Sequence, residues 1–228
     1  VRLVRDTNYL PYGPDLRILE LAPVSFDAST FELWGALCNG ALLVVLRAGA
    51  PSLRELGEEI QRHRITSLYL TSALFNLMVD ERVEAFHGVR HLLVGGDIIS
   101  VPHARGVLAA HPGLTLINGY GPTETTTFAS CGLLHRPEDV GYTVTIGPPI
   151  SNTTLLILDR EMQPAPIGVP GDLYIGGDGN ARGYLLLPGL TAECFIPHPF
   201  PVTPGERVYK TGDLARWMPD GTLECLGR

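Results

Sequence analysis

The sequence has no excess of basic charge. Seventeen lysines and arginines stand against 24 aspartates and glutamates, a formal net charge of −7 over 228 residues. That excludes a nucleic-acid partner held on a basic surface. Long apolar runs are also missing. The longest, residues 40–46, falls far short of the roughly 20 residues that cross a bilayer, so no membrane partner is expected. No basic segment followed by an apolar one opens the chain, and no secretion signal is read. Cysteine is sparse: Cys38, Cys131, Cys194 and Cys225 are scattered, with no C-x-x-C pair. Neither a disulfide framework nor a zinc site is expected, and the setting is read as reduced and cytoplasmic. Aromatic residues make up only 7%, but 45% hydrophobic content with charges of both signs belongs to a globular chain, not a disordered one.

Glycine and proline are abundant, about a fifth of the chain together. They follow no G-X-Y period and form no low-complexity block, which leaves a turn-rich α/β or β architecture. Residues 17–23 read as a short strand, and residues 30–39 as a helix that Ser29 or Thr30 caps. Residues 41–46 are continuously apolar and are expected as a buried parallel strand. Helices over 52–63, 72–79 and 102–110 then alternate with strands over 67–70, 91–94 and 114–118. That alternation predicts a parallel, helix-covered sheet. Beyond Gly147 and its two prolines, only short strands follow, over 154–158, 172–175, 208–211 and 222–226. Asp220-Gly221 marks a hairpin turn between the last two. The fold class is therefore α/β, a helix-covered, mostly parallel sheet followed by a small β-rich, barrel-like unit. The boundary is expected near residue 145, dividing residues 1–145 from 146–228. The chain opens on Val1 without a methionine and stops at Arg228 directly after a strand-like stretch, so it is expected to be part of a longer protein.

Residues 118–126, Asn-Gly-Tyr-Gly-Pro-Thr-Glu-Thr-Thr, follow a predicted strand, where ligands bind in open α/β sheets. Gly119 and Gly121 permit close backbone approach, Tyr120 offers a flat ring, Thr123 a hydroxyl and Glu124 a carboxylate for a hard cation such as Mg²⁺. The same spacing equally suits a plain strand-to-helix turn in which Tyr120 packs and Glu124 caps. Asp213, in the run 209–214, suits a ribose diol or an ordinary β-turn. The glycine-dense stretch 171–183 lacks the Gly-Lys-Ser/Thr ending of a phosphate loop and reads as turns between strands. Asp27 lies among apolar neighbours and needs a partner: a ligand ammonium, or the end of a helix that it caps. His87 and His91 lack a third ligand nearby and are read as surface residues. No G-x-S-x-G elbow or Cys–His pattern supports covalent catalysis.

These motifs, in this order and at these separations, resemble the adenylation domain of non-ribosomal peptide synthetases, within the adenylate-forming superfamily of acyl-CoA synthetases and luciferases. The resemblance covers essentially the whole chain and rests on residues 26–29, 118–124, 171–185, 209–214 and 227–228. It implies the following roles. Tyr120 stacks on adenine, with Asn118 and Gly119 at the base edge. Thr123 contacts phosphate, Glu124 holds Mg²⁺, Asp213 holds the ribose hydroxyls, and Arg228 reaches the ribose and phosphate side at a hinge. Asp27 pairs with the substrate's α-amino group. The side-chain pocket falls on Asp27, Ala28, Phe31, Tyr69, Leu93, Gly95, Gly119, Thr127 and Phe128. It is an apolar wall with room left by the glycines, most like those used for valine, then isoleucine or leucine. The implied reaction joins ATP and an amino acid into aminoacyl-AMP and pyrophosphate. The aminoacyl group then passes to the phosphopantetheine thiol of a partner carrier domain, among neighbouring synthetase modules. The alternatives are an aryl- or acyl-acid ligase, which Asp27 opposes, and a nucleotide-binding fragment without catalysis. The family's phosphate loop and its C-terminal lysine domain are not in this sequence, so the isolated chain is expected to be inactive. Cys225 stands where relatives carry an aromatic residue beside the adenine.

Overall fold

The computed structural model describes residues 1–46, 49 and 51–228. Strands β1 (Arg17–Glu20), β2 (Leu42–Val45), β3 (Ser67–Thr71), β4 (His91–Gly95) and β5 (Thr115–Tyr120) run parallel in the order β2-β1-β3-β4-β5. A sixth strand, β6 (Ser130–Leu134), joins β5 antiparallel. Successive side chains on a strand face opposite sides, and here both sides are covered. Leu19, Leu68, Leu70, Leu92, Val94 and Leu116 pack with residues of helices α2 (Leu53–Arg62), α3 (Ser72–Arg82) and α4 (Val101–Ala110). Their neighbours Ile18, Tyr69, Leu93 and Ile117 pack on helix α1 (Ala28–Leu37) and on Leu3, Val4, Tyr9 and Leu10 near the chain start. Each such buried side chain contributes about 1.5–3 kcal/mol. Helix α2 begins at a capping box, with Ser52 and Glu55 bonding each other's backbone N–H, worth about 1 kcal/mol.

The second sheet is wholly antiparallel, in the order β11-β10-β8-β7, with β9 also pairing with β10. Its strands are β7 (Thr153–Leu158), β8 (Gly171–Gly177), β9 (Phe195–Pro197), β10 (Arg207–Trp217) and β11 (Leu223–Gly227). Leu155, Ile157, Leu173, Ile175, Ala215 and Leu223 form its core, together with Ala129 and Ile146. The chain between the sheets is bonded to both. The backbone N–H of Cys131 donates to the carbonyl of Pro148, that of Ile150 to Ala129, and that of Ile146 to Leu223. Among the described residues, no helix is long and apolar enough to cross a membrane.

Several local expectations are corrected. β2 is not buried but forms the edge of its sheet, with Leu42 44% and Val45 63% exposed. Apolar continuity signals a strand without saying which strands flank it. α1 starts at Ala28, two residues early, and neither Ser29 nor Thr30 caps it. β5 runs through Gly119 and Tyr120, so the motif that begins at Asn118 starts as strand. It leads through one short helical turn into the antiparallel β6 and not into an α-helix. The short β9 and helix α5 (Pro188–Cys194) carried no periodic signal. His91 is not a surface residue. It begins β4 half-buried, with Nδ1 3.1 Å from the Ser67 hydroxyl, and burial pulls its pKa down to about 4.

Candidate active site

The carboxyl ends of β4 and β5 face the second sheet across a cleft of about 560 Å³. Asn118, Gly119, Tyr120 and Gly121 line it from β5 and its loop, and Asp213, Cys225 and Arg228 from β10, β11 and the residue that follows. The strand β10 loses its register between Lys210 and Leu214, an irregularity of the kind that re-aims side chains beside sites. Asp213 lies on this stretch. One of its carboxylate oxygens accepts from the Tyr120 hydroxyl at 2.6 Å, and the other from Arg228 Nε at 2.9 Å. Burial first, and then the Asp213 carboxylate, raises the Tyr120 phenol above its usual range. The Asp213 carboxylate likewise raises the Arg228 guanidinium. Asn118 is buried, and its amide donates to the carbonyls of Val144 and Thr145 at 3.3 and 3.0 Å. Burial pushes up the half-buried Cys225 thiol.

From Tyr120 the chain enters a helical turn, Thr123–Thr125. The Glu124 carboxylate accepts from the Tyr184 hydroxyl at 2.6 Å. Partial burial raises the Glu124 pKa, but the hydroxyls of Tyr184 and Tyr209 and the loop backbone outweigh it and hold the carboxyl below its usual range. Among the described residues, no group of three histidines, cysteines or carboxylates could hold a metal ion by itself. A single ionised carboxylate nevertheless fits Mg²⁺, which binds through one or two carboxylates plus substrate phosphates. The Thr123 hydroxyl donates to the Asp27 carboxylate at 2.7 Å, and the Thr127 hydroxyl to the Asp27 carbonyl at 3.0 Å. Asp27 occupies the N-cap position of α1, yet its side chain makes no capping bond. Its carboxylate is turned to the loop instead.

The residues expected to line a side-chain pocket converge. Ala28, Phe31, Tyr69, Leu93, Thr127 and Phe128 are all buried. The Phe128 ring lies 5.8–5.9 Å, centre to centre, from those of Tyr9, Phe31 and Tyr69. Gly119 and Gly95 do not leave the expected room. A Cβ on Gly119 would stand 2.6 Å from the Phe128 ring, and one on Gly95 would strike the Gly119 carbonyl oxygen. Both glycines are there because strand and ring approach too closely for a side chain. A second, apolar cleft of about 660 Å³ opens beyond β1 and β3, past Phe26 and Tyr69. Of the hydroxyls and carboxylates described above, those of Tyr120 and Asp213 line the first cleft.

Three groups of this neighbourhood escaped sequence reasoning. Tyr184 and Tyr209, whose hydroxyls lie 3.3 Å apart beside Glu124, sit in stretches legible only as turns and strand. Glu32 is fully buried in α1 and accepts the backbone N–H groups of Leu21 and Ala22. Burial pushes its carboxyl up to about 8. A charged residue on a weakly amphipathic helix gave no sign of this.

A family model described as AMP-binding enzyme matches residues 1–185. The chain is 55% identical over its whole length to a linear gramicidin synthase of Brevibacillus parabrevis, of which it spans 4%. It is 48% identical to Gramicidin S synthase 2 of Brevibacillus brevis, of which it spans 5%. Among solved structures, holo-PA1221, an NRPS protein containing adenylation and PCP domains, superimposes with a TM-score of 0.94 at 39% identity, covering all of this chain and 40% of that one. The N-terminal subdomain of Klebsiella oxytoca NpsA, in complex with 3-hydroxyanthranilyl-AMSN, gives 0.92 at 31% identity, covering all of this chain and 58% of that one.

Proposed function

The chain belongs to the AMP-binding enzyme family, and from that premise we propose that it carries the amino-acid and nucleotide sites of an adenylating enzyme of non-ribosomal peptide synthesis. The single observation that carries this reading is the Thr123–Asp27 hydrogen bond. It puts a carboxylate suited to an α-ammonium one hydroxyl away from the loop that leads to the nucleotide cleft. In this reading the substrate carboxylate attacks the α-phosphorus of ATP, the bond to the β-phosphate oxygen breaks, and aminoacyl-AMP and pyrophosphate form. No protein nucleophile takes part, so the work of the chain is positioning and charge placement.

The Tyr120 ring stacks on adenine, and Asn118, through its ties to residues 144 and 145, fixes the backbone at the base edge. Asp213 takes the ribose hydroxyls, and Arg228 reaches the phosphate side. The Thr123 hydroxyl turns from Asp27 to the phosphate once an ammonium takes its place there, and Glu124 would hold Mg²⁺, which would neutralise charge on the phosphates. Asp27 binds the α-ammonium, and the wall around Phe31, Tyr69, Leu93 and Phe128 takes an uncharged side chain. A charged one would lose its hydration without finding a partner. The set is most like those used for valine, then isoleucine or leucine. Residues 1–145 supply the amino-acid pocket and nucleotide loop, and residues 146–228 close the cleft. The aminoacyl group then passes to a carrier domain's phosphopantetheine, consistent with the adenylation–PCP proteins to which the chain is similar.

An aryl- or acyl-acid ligase would leave Asp27 facing an uncharged substrate end. The test is amino-acid-dependent ATP–pyrophosphate exchange by the full-length protein that carries this sequence. Valine, isoleucine, leucine, phenylalanine and charged amino acids form the panel. Exchange with a branched aliphatic supports the reading, while exchange confined to charged amino acids or non-amino acids overturns the pocket assignment.

A further inference from the structure

Arg2 is 7% exposed, and no carboxylate among the described residues lies within ion-pair distance of it. Its guanidinium instead donates four bonds to a single neighbourhood. Nη2 reaches the carbonyls of Thr125 at 2.7 Å and Thr126 at 3.0 Å, and Nη1 the Phe128 carbonyl at 3.0 Å and the Thr153 hydroxyl at 2.6 Å. Burial pulls the pKa of this unpaired cation down. Burying a cation among neutral acceptors is costly, so it persists only where the fork accomplishes something specific. What it holds is strained. Thr126 and Thr127 have φ of 63° and 62°, left-handed backbone that β-branched residues rarely adopt. This two-residue kink turns Phe128 onto Gly119 and Thr127 onto Asp27.

The geometry points to Arg2 as a positioning residue for the amino-acid pocket: its guanidinium locks the kink at 125–128 and thereby sets the wall that Thr127 and Phe128 present. The inference rests on the amino-acid-adenylation reading for its functional half. Lysine cannot replace the planar fork, because one ammonium does not span four acceptors in this arrangement. Gly179 belongs to the lock, since a Cβ there would stand 2.5 Å from Arg2 Nη2 and 2.6 Å from the Thr125 carbonyl.

The test compares Arg2→Met, Arg2→Lys and the milder Thr153→Val, which removes one acceptor and leaves the cation, in the full-length protein. Two readouts are taken: backbone hydrogen exchange, and KM values for amino acid and ATP in pyrophosphate exchange. Arg2→Met is expected to accelerate exchange at residues 125–129 at least about tenfold while the amides of β4 stay protected. It should also raise the amino-acid KM about tenfold, with a smaller change in the ATP KM, and weaken the preference between valine and leucine. Arg2→Lys should restore the fold but not the amino-acid KM, and Thr153→Val should shift both readouts in the same direction by less. Should Arg2→Met fail to fold, Thr153→Val decides by the same pair of readouts. Uniform acceleration over the whole chain, or local acceleration with unchanged KM and preference, overturns the inference. A wild type that supports no amino-acid-dependent exchange overturns the adenylation reading itself. Hydrogen exchange at 125–129 then still tells separately whether Arg2 locks the loop.

Discussion

Tyr120 and Asp213, 93 residues apart in the chain, meet through a 2.6 Å hydrogen bond that joins the end of a parallel strand in one sheet to an irregular strand in the other. The second oxygen of Asp213 takes the guanidinium of Arg228. One carboxylate thereby ties together three residues that sequence reasoning assigned separately to base, ribose and phosphate.

Replacing that carboxylate is expected to act on the nucleotide. In Asp213→Ala, the ATP KM should rise roughly ten- to a hundredfold, because two charge-assisted hydrogen bonds and the proposed ribose acceptor are lost together. The amino-acid KM should change by less. Steady-state pyrophosphate exchange at varied ATP and fixed amino acid measures this.

The close approach at Gly119 predicts a different failure. In Gly119→Ala, the added Cβ would sit 2.6 Å from the Phe128 ring, and the ring would have to leave its place against Tyr9, Phe31 and Tyr69. The expected cost is about 1–3 kcal/mol of stability, read by denaturant unfolding, with loss of amino-acid-dependent exchange.

Buried Glu32 predicts how stability depends on pH. Its carboxyl is raised from 4.5 to about 8 in the folded chain. A raised acid pKa means that the folded state holds the proton longer, so the contribution is full below the unfolded pKa and is lost as pH rises through 8. The histidine at the head of β4 acts in the opposite sense: His91, lowered from 6.5 to about 4, costs stability as pH falls from 6.5 through 4. Between pH 6.5 and 8 Glu32 dominates, and roughly 2 kcal/mol of stability should disappear over that interval. Glu32→Gln, which keeps an acceptor for Leu21 and Ala22, should flatten the slope. Urea unfolding at pH 6.5 and 8 measures it, and an unchanged slope in the variant would assign the pH dependence elsewhere.

The parallel sheet was legible because its strands are apolar on both faces and alternate with helices, as at 67–70 and 91–94. The second sheet was legible through its turns, of which Asp220-Gly221 is the clearest. β6 was not, because its apolar residues follow the left-handed kink at 126–127, and nothing local marks two threonines as a chain reversal. The burial of β2 was misjudged for a related reason: position within a sheet is set by distant neighbours. At the candidate site, the residues proposed to touch a substrate stood out as motif residues. Arg2 and Tyr184, which bond to the loop residues 124–128, did not, nor did the buried Glu32. Their partners are mostly backbone carbonyls and N–H groups, or side chains tens of residues away, which no spacing rule encodes.

The central claim, that Asp27 receives an α-ammonium, is tested most directly by pyrophosphate exchange with valine and with 3-methylbutanoate, the same acid without its amino group. Wild type and Asp27→Ala are compared in the full-length protein. The account predicts exchange with valine and essentially none with 3-methylbutanoate in wild type. In Asp27→Ala, exchange with valine should fall at least about a hundredfold, since an ammonium is then desolvated without a partner. Equal use of the two acids by wild type, or undiminished valine exchange in Asp27→Ala, would contradict it.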